Sequence, residues 1–161
     1  MLDPQQFRRL VIRPVVRRLG LGSPAAERLL LGTALTESGL RHLHQVRGPA
    51  RGLYQIEPAT LRDLYANWLP RRPKLAEGLR QFTVPHGALD DQLIWNLAYA
   101  SAVARLIYYR RPEPLPRADD LPALAEYWKA HFNTAAGKGT PADFIARAGP
   151  YLRLTRRNVR S

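Results

Sequence analysis

One glutamate ends an otherwise apolar helical segment and is the first candidate for chemistry. Glu37 follows LLLGTALT at positions 29–36 and precedes Ser38-Gly39, a helix stop signal. Burial raises the pKa of a carboxyl group, and so does the negative end of a helix dipole. A carboxyl that stays protonated near neutral pH can act as a general acid. The position therefore predicts a proton donor, with the alternative that Glu37 turns to solvent or pairs with Arg41 or Arg51.

The residues that follow Glu37 offer no second acid in the same motif. No carboxylate occurs between Glu37 and Glu57. Glu57 and Asp63 stand next to and within the following helical segment, where a cap and a solvent-facing residue are expected. The spacing favours chemistry that needs one carboxyl group.

Two histidines close to Glu37 raise the question of a metal. His42 and His44 could both be ligands, but a third ligand at a matching distance is missing. We therefore expect no metal and no other cofactor, and we expect these histidines to line a cleft or face solvent. The tryptophans Trp68, Trp95 and Trp128 are expected in the core, with one of them able to stack on a ligand.

The element that must position Glu37 is a helix from Pro24 to about Ser38. Ser23-Pro24 is a start signal and Gly39 a stop signal. Its residues at helical spacing, Ala26, Leu30, Thr33, Ala34 and Glu37, are expected to form one stripe that faces the core. After it, Leu43 to Val46 and Leu53 to Ile56 flank a Gly-Pro turn as short extended pieces, which predicts a small hairpin at most.

Caps, prolines and apolar periodicity divide the rest of the chain into further helices, about six in total. Pro14 is expected to kink or interrupt the first of them. The longest is predicted from Asp90-Asp91 to about Tyr109, because acidic residues suit its first turn. Others are predicted at about 58–68, 75–82, 121–131 and 141–148, the last one stopped by Gly149-Pro150. The fold class predicted is mainly α.

Composition limits the class of protein and of partner. The 161 residues are 45% hydrophobic, contain no cysteine and have a net charge of +12. This length predicts a single domain, 1–161, with its motifs at about 24–139 and a basic tail at 151–161. The chain has no apolar run of membrane-spanning length, and its arginine-bearing start lacks the apolar core of a signal peptide. The charge requires a polyanionic partner: nucleic acid, an anionic membrane or a bacterial wall.

Three short motifs occur in order along the chain. They are LTESG at 35–39, then GLYQI at 52–56 with PAT at 58–60, and finally Phe132-Asn133 after the Asn96-Leu97 segment. Together they resemble the signature of the lytic transglycosylase and goose-type lysozyme superfamily. The first two motifs, 15 residues apart (52 − 37), carry most of the resemblance. The chain departs from the family at Tyr54, where the family has methionine, and at Phe132, where it has tyrosine.

The resemblance implies a lysozyme-like α domain that cleaves the β-1,4 bond between N-acetylmuramic acid and N-acetylglucosamine in peptidoglycan. Glu37 would be the general acid and then the base, and no cofactor would be needed. Substrate binding would fall to Ser38, Gly52, Leu53, Tyr54, Gln55, Phe132 and Asn133. Because the family tyrosine contacts the catalytic glutamate, either Tyr54, Tyr99 or Tyr127 replaces its hydroxyl here, or the third motif lies in another register.

Peptidoglycan glycan strands are thus the expected partner, with other virion proteins as a further one, and nucleic acid is not expected. The resemblance extends to phage-borne enzymes, which act from the virion or are released to the host periplasm and wall. Three alternatives stay open: a hydrolytic muramidase, a wall-binding module without activity, and a basic nucleic-acid-binding or virion-structural protein with an inactive lysozyme-like fold.

Overall fold

Helices make up nearly all the regular structure in a computed structural model that describes residues 1–133 and 137–152. The α-helices are α1 (Pro4–Phe7), α2 (Arg13–Arg18), α3 (Pro24–Ser38), α4 (Pro58–Asp63), α5 (Pro73–Arg80), α6 (Leu89–Trp95), α7 (Leu97–Tyr109), α8 (Leu121–Trp128) and α9 (Pro141–Leu152). Three π-helical segments, Arg8–Ile12, Leu64–Trp68 and Lys129–Asn133, and a 3₁₀ turn, Leu69–Arg71, extend them. The prediction of a mainly α fold is confirmed.

Helix α3 is the central element of the core, and it begins and ends as predicted. The Ser23 side chain accepts a hydrogen bond from the Ala26 N–H, and Gly39 caps the other end at a φ of 62°. The predicted stripe faces the core at Ala26, Leu30, Thr33 and Ala34, which are buried, whereas Glu37 is half-buried. Nearly every other residue of α3 is buried as well. Helices α2, α7, α8 and α9 all pack on it, α9 most extensively. An enclosed helix has no solvent face that would require an amphipathic pattern.

Two prolines expected to end or bend helices lie inside them. The run from Pro4 to Arg18 is continuous, and the Arg13 N–H donates to the Arg8 carbonyl across a π turn just before Pro14. The backbone hydrogen bonds therefore change from the α-helical to the π-helical spacing just before Pro14, which has no N–H to donate. The helix thus accommodates Pro14 without an interruption. Pro150 lies within α9, which continues to the buried Leu152. Burial of Leu152 outweighs the stop signal in Gly149-Pro150.

The longest predicted helix is divided into α6 and α7 at Asn96. This residue leaves helical geometry (φ −95°, ψ 88°), and its Oδ1 accepts a hydrogen bond from the Tyr99 N–H as a new N-cap. Its Nδ2 donates to the Phe82 carbonyl at 2.7 Å. Asparagine competes with the helical backbone through such bonds, which explains the break.

The segment between α3 and α4 forms two turns rather than a hairpin with strands. His44 pairs with Arg51, and Arg51 pairs with Ile56, as isolated antiparallel bridges. Residues 52–55 are therefore a turn closed by the Arg51–Ile56 pair, and not part of an extended piece as predicted. This double turn places Gln55 beside the end of α3. Of the predicted basic tail, residues 153–161 lie outside the described part of the chain.

Candidate active site

Glu37 lies in the last turn of α3 at the floor of a cleft with a volume of about 940 Å³. The alternatives of pairing with Arg41 or Arg51 are not observed among the described residues. Arg51 forms an ion pair with Asp91 at 2.8 Å, and Arg41 contacts the Met1 sulfur. Glu37 thus remains available to a molecule in the cleft.

The hydrogen-bond partner of Glu37 is an indole. Trp128 Nε1, at the end of α8, donates to Glu37 Oε1 at 3.0 Å, and the Trp128 side chain is only 1% exposed. The Phe144 ring of α9 packs against the indole, with ring centroids 5.7 Å apart. The donor is therefore fixed by the packing of α8 and α9 on α3.

None of the three hydroxyls expected to replace the family tyrosine contacts Glu37. Tyr54 bonds Ser101 Oγ at 2.9 Å, Tyr99 bonds the Tyr65 hydroxyl at 3.0 Å, and Tyr127 donates to the Glu113 carbonyl at 2.9 Å. The expectation that one of these hydroxyls contacts Glu37 was wrong, and the Trp128 indole donates to it instead. The alternative of a third motif in another register stays a prediction. A sequence signal for it existed, because Trp128 precedes Phe132 by one helical turn and so shares its face of the helix.

The surroundings of Glu37 give it a pKa near neutrality. Burial raises the pKa, the Trp128 hydrogen bond and the charge of Arg147 lower it, and the net result is a pKa of about 7. Burial dominates because the charged form loses its water shell. The C-terminal end of α3 adds an unfavourable dipole for the anion. A carboxyl group with this pKa can both donate and accept a proton at neutral pH.

Only part of the predicted substrate-binding set lines the cleft. Gln55, Phe132 and Asn133 line it together with Glu37, and so do His42 and His44. The Phe132 ring rests on Tyr108, with centroids 5.3 Å apart. Asn133 Oδ1 accepts a hydrogen bond from Lys129 Nζ at 2.8 Å, which fixes the amide of Asn133 toward the loop at Gly137.

The other predicted substrate contacts, Ser38, Gly52, Leu53 and Tyr54, are buried behind the cleft wall. Ser38 Oγ donates a hydrogen bond to the Leu53 carbonyl at 2.6 Å and accepts one from the Leu40 N–H. Ser38 therefore connects the end of α3 to the double turn. Tyr54 is 1% exposed and cannot stack on a sugar ring. Their assignment as binding residues is corrected to one of support.

The double turn requires a glycine at position 52. It has a φ of 75°, and a Cβ at this position would overlap the Leu93 carbonyl of α6. Only glycine tolerates both conditions. Gln55 also has a positive φ, of 48°, and its Nε2 donates to the Gly52 carbonyl at 2.9 Å. The turn thus directs the Gln55 amide into the cleft.

Two further carboxylates line the same cleft. Asp143 accepts hydrogen bonds from the Thr140 N–H and hydroxyl, which lower its pKa and keep it ionised. Glu57 is exposed, and although it occupies the N-cap position of α4, its side chain makes no capping bond. The expected capping role for Glu57 is therefore wrong. Asp63 is exposed as expected and pairs with Arg110 at 2.9 Å.

The cleft is also rich in cationic side chains that sequence reasoning did not assign. Arg110, Arg111, Lys138 and Arg147 line it. The Nε atoms of Arg110 and Arg111 are buried and lack a hydrogen-bond partner among the described residues. The cleft therefore favours an anionic molecule.

Across residues 1–133 and 137–152, no three histidine or acidic side chains lie close enough to hold a metal ion. Every helix in that part of the chain is too short or too polar to cross a bilayer. Comparisons with protein-family models, curated proteins and solved structures find no match for this chain.

Proposed function

We propose that the protein is a peptidoglycan-cleaving lytic transglycosylase with Glu37 as its single acid and base. The observation that carries the proposal is a half-buried Glu37 that lines a cleft and has a pKa raised to about 7. The cleft volume of about 940 Å³ is at the upper end of the range for small-molecule sites and suits a few sugar rings.

In the proposed reaction, the Glu37 carboxyl donates its proton to the glycosidic oxygen as the bond from C1 to that oxygen breaks. The 2-N-acetyl group of the substrate supports the positive charge that develops at C1. The C6 hydroxyl of the same sugar then attacks C1, and the Glu37 carboxylate accepts the hydroxyl proton. One proton leaves Glu37 and one returns, so the product is a 1,6-anhydro sugar and no water is consumed.

The remaining cleft residues suit positioning of the glycan. The amides of Gln55 and Asn133 offer donors and acceptors for N-acetyl and hydroxyl groups. Arg110, Arg111 and Arg147 supply positive charge for the carboxylates of the wall peptides. The net charge of +12 supports attraction to an anionic wall. A phage-borne enzyme, acting from the particle or after release into the host wall, fits the same chemistry.

A hydrolytic reaction is the second candidate, and the exposed Glu57 in the same cleft is the observation that favours it. A hydrolase uses a second carboxylate about 5–9 Å from the acid as a base or a nucleophile. Glu57→Gln would then abolish cleavage, whereas a transglycosylase would retain it.

The decisive experiment digests purified sacculi and identifies the products by mass spectrometry. We expect anhydro ends from the wild type, and at least a 100-fold loss of rate in Glu37→Gln, since the general acid is removed. Glu126→Gln, at an exposed position of α8, is the matched control and should retain full activity. Reducing ends would indicate hydrolysis. Undiminished lysis by Glu37→Gln, or no product from the wild type, would contradict the proposal. Salt-sensitive DNA binding without product would point to a nucleic-acid-binding protein.

A further inference from the structure

A second cavity, which we term the arginine pocket, lies at the opposite end of α3 from Glu37 and has a volume of about 870 Å³. Residues Gly22, Ser23 and Pro24 at the start of α3 form part of its wall. Its charged lining consists of the five arginines Arg8, Arg13, Arg17, Arg28 and Arg117 and the two carboxylates Glu27 and Asp119. The lining thus has three more positive than negative charges.

Both carboxylates of the arginine pocket are already paired. Arg13 binds Glu27 through Nε at 3.0 Å and through Nη2, also at 3.0 Å. Arg117 binds Asp119 through Nε at 3.0 Å and Nη2 at 2.9 Å. These bidentate ion pairs use both oxygens of each carboxylate. Among the described residues, neither carboxylate forms an ion pair with Arg8, Arg17 or Arg28.

Two of the three remaining guanidinium groups, those of Arg28 and Arg8, are the unusual feature, whereas Arg17 is exposed. Arg28 is only 8% exposed, and its one hydrogen bond among the described residues goes from Nη1 to the Ala118 carbonyl at 2.6 Å. Arg8 Nε is buried and has no hydrogen-bond partner there. Burial lowers the pKa of Arg28 and the nearby charge of Arg8 lowers it further, whereas the charge of Asp119 raises it. Arg28 and the Nε atom of Arg8 thus have few acceptors among the described residues, which favours an anionic ligand in the arginine pocket.

The start of α3 adds to the positive field in the arginine pocket. The Ser23 side chain satisfies only the Ala26 N–H, and the dipole of this 15-residue helix is positive at this end. Anions bind readily where such a helix start meets cationic side chains. Helix α3 therefore presents its positive end to the arginine pocket and its negative end to Glu37.

We propose that the arginine pocket binds a phosphate group through Arg8, Arg17 and Arg28. A carboxylate has two oxygens in one plane, whereas phosphate presents several acceptor oxygens in a tetrahedron and about two negative charges. Arg8 and Arg17 lie on the continuous helical run from Pro4 to Arg18, and Arg28 lies on α3. Guanidinium groups that approach from two helices match the second geometry better. The site does not depend on glycan cleavage, and it serves either the free ion or a phosphate ester at the end of a larger molecule.

Isothermal titration calorimetry of the full chain tests the site, with inorganic phosphate and glycerol 3-phosphate as probes and sodium chloride at equal ionic strength as the blank. We expect Arg8→Gln and Arg17→Gln each to weaken binding by about tenfold or more, because each removes a charge-assisted hydrogen bond. Arg9→Gln removes the same charge from an exposed neighbour outside the arginine pocket and should change affinity less than about twofold. Binding of the ester as well as the ion would mark a site for larger phosphate-bearing molecules, and binding of the ion alone a site for free phosphate.

Thermal unfolding gives a second readout that a purely structural role of Arg8 would not produce. Phosphate should raise the Tm of the wild type but not that of Arg8→Gln, because a ligand stabilises only the protein that binds it. In phosphate-free buffer Arg8→Gln should be at least as stable as the wild type, since repulsion with Arg28 is relieved. Equal phosphate binding by wild type and Arg8→Gln, an equal loss in Arg9→Gln, or no binding at all would overturn the proposal.

Discussion

The carboxyl group of Glu37 has neighbours that act on its pKa in opposite directions. Burial raises the pKa, whereas the indole of Trp128 and the charge of Arg147 lower it, and the balance lies at about 7. Without the indole the pKa would lie above this value, and the carboxyl would rarely ionise at neutral pH. Trp128 therefore keeps Glu37 usable both as an acid and as a base.

Substitution of Trp128 tests this balance. In Trp128→Phe the donor to Glu37 Oε1 is lost, so the charged form is less stable and the pKa rises above about 7. The alkaline limb of the pH–rate profile should move to higher pH, and the rate at its optimum should fall roughly tenfold as the carboxyl loses its orientation. Trp95→Phe, at a side chain that is 52% exposed, is the control and should leave the profile unchanged. An unshifted profile in Trp128→Phe would show that the indole does not tune the acid.

The raised pKa also predicts how Glu37 affects stability. Because the folded state binds this proton more tightly than the unfolded state, Glu37 costs nothing below pH 4.5 and its full penalty above about pH 7. The rise from 4.5 to about 7 corresponds to about 3 kcal/mol. Glu37→Gln should therefore be more stable than the wild type at pH 8, by up to that amount, and nearly equal to it at pH 4.

Urea unfolding at pH 4, 6 and 8 measures this difference. Glu126→Gln, which removes an exposed carboxylate, should show a much smaller dependence on pH. If the gain in Glu37→Gln were the same at pH 4 and pH 8, the carboxyl would not be buried as the structure has it.

At the scale of elements, α9 must approach α3 closely for the site to form. A Cβ on Gly32 would overlap the Phe144 ring, and that ring in turn packs on Trp128. The contacts connect Gly32 in the middle of α3 to the indole that binds Glu37. Helix–helix spacing therefore determines the position of the hydrogen-bond donor.

Gly32→Ala should separate these helices. An alanine usually stabilises a helix interior by up to about 1 kcal/mol relative to glycine, but here the overlap with Phe144 should reverse the sign and cost about 1–3 kcal/mol. We also expect reduced activity, as Trp128 shifts away from Glu37. Gly78→Ala in α5 is the control, because its new Cβ meets only a flexible Leu19 methyl group at 3.4 Å. A Gly32→Ala protein as stable and active as the wild type would show that the α3–α9 spacing is not critical.

Local signals predicted most of these elements. Ser23-Pro24 and Gly39 bound α3 correctly, and the position of Glu37 in its last turn predicted a raised pKa. Non-local contacts were not predictable in the same way. Trp128 is 91 residues from Glu37, and the break at Asn96 depends on a bond to Phe82 across a turn. Burial of Tyr54 similarly depends on Ser101, a residue of α7, and no spacing within GLYQ indicates it.

At the scale of the whole molecule, the net charge of +12 should act on how the protein meets the sacculi that we propose as its substrate. Sacculi carry many carboxylates, and long-range attraction raises the local concentration of a cationic protein at their surface. Salt screens this attraction, with a Debye length of about 10 Å at 0.1 M. The chemistry that we propose at Glu37 would take place in a partly enclosed cleft, where screening is much weaker.

We therefore expect KM for sacculi to rise severalfold as salt increases from about 20 to about 300 mM, while kcat changes little. A triple variant, Arg62→Gln, Arg71→Gln and Lys74→Gln, removes three exposed charges outside both cavities and lowers the net charge from +12 to +9. Its KM at low salt should lie above that of the wild type, and its dependence on salt should be shallower. A KM that stays constant over this range, or a variant with the same salt dependence as the wild type, would mean that attachment depends on contacts in the cleft alone. In that case the excess of arginine would have to be explained by local sites such as the arginine pocket.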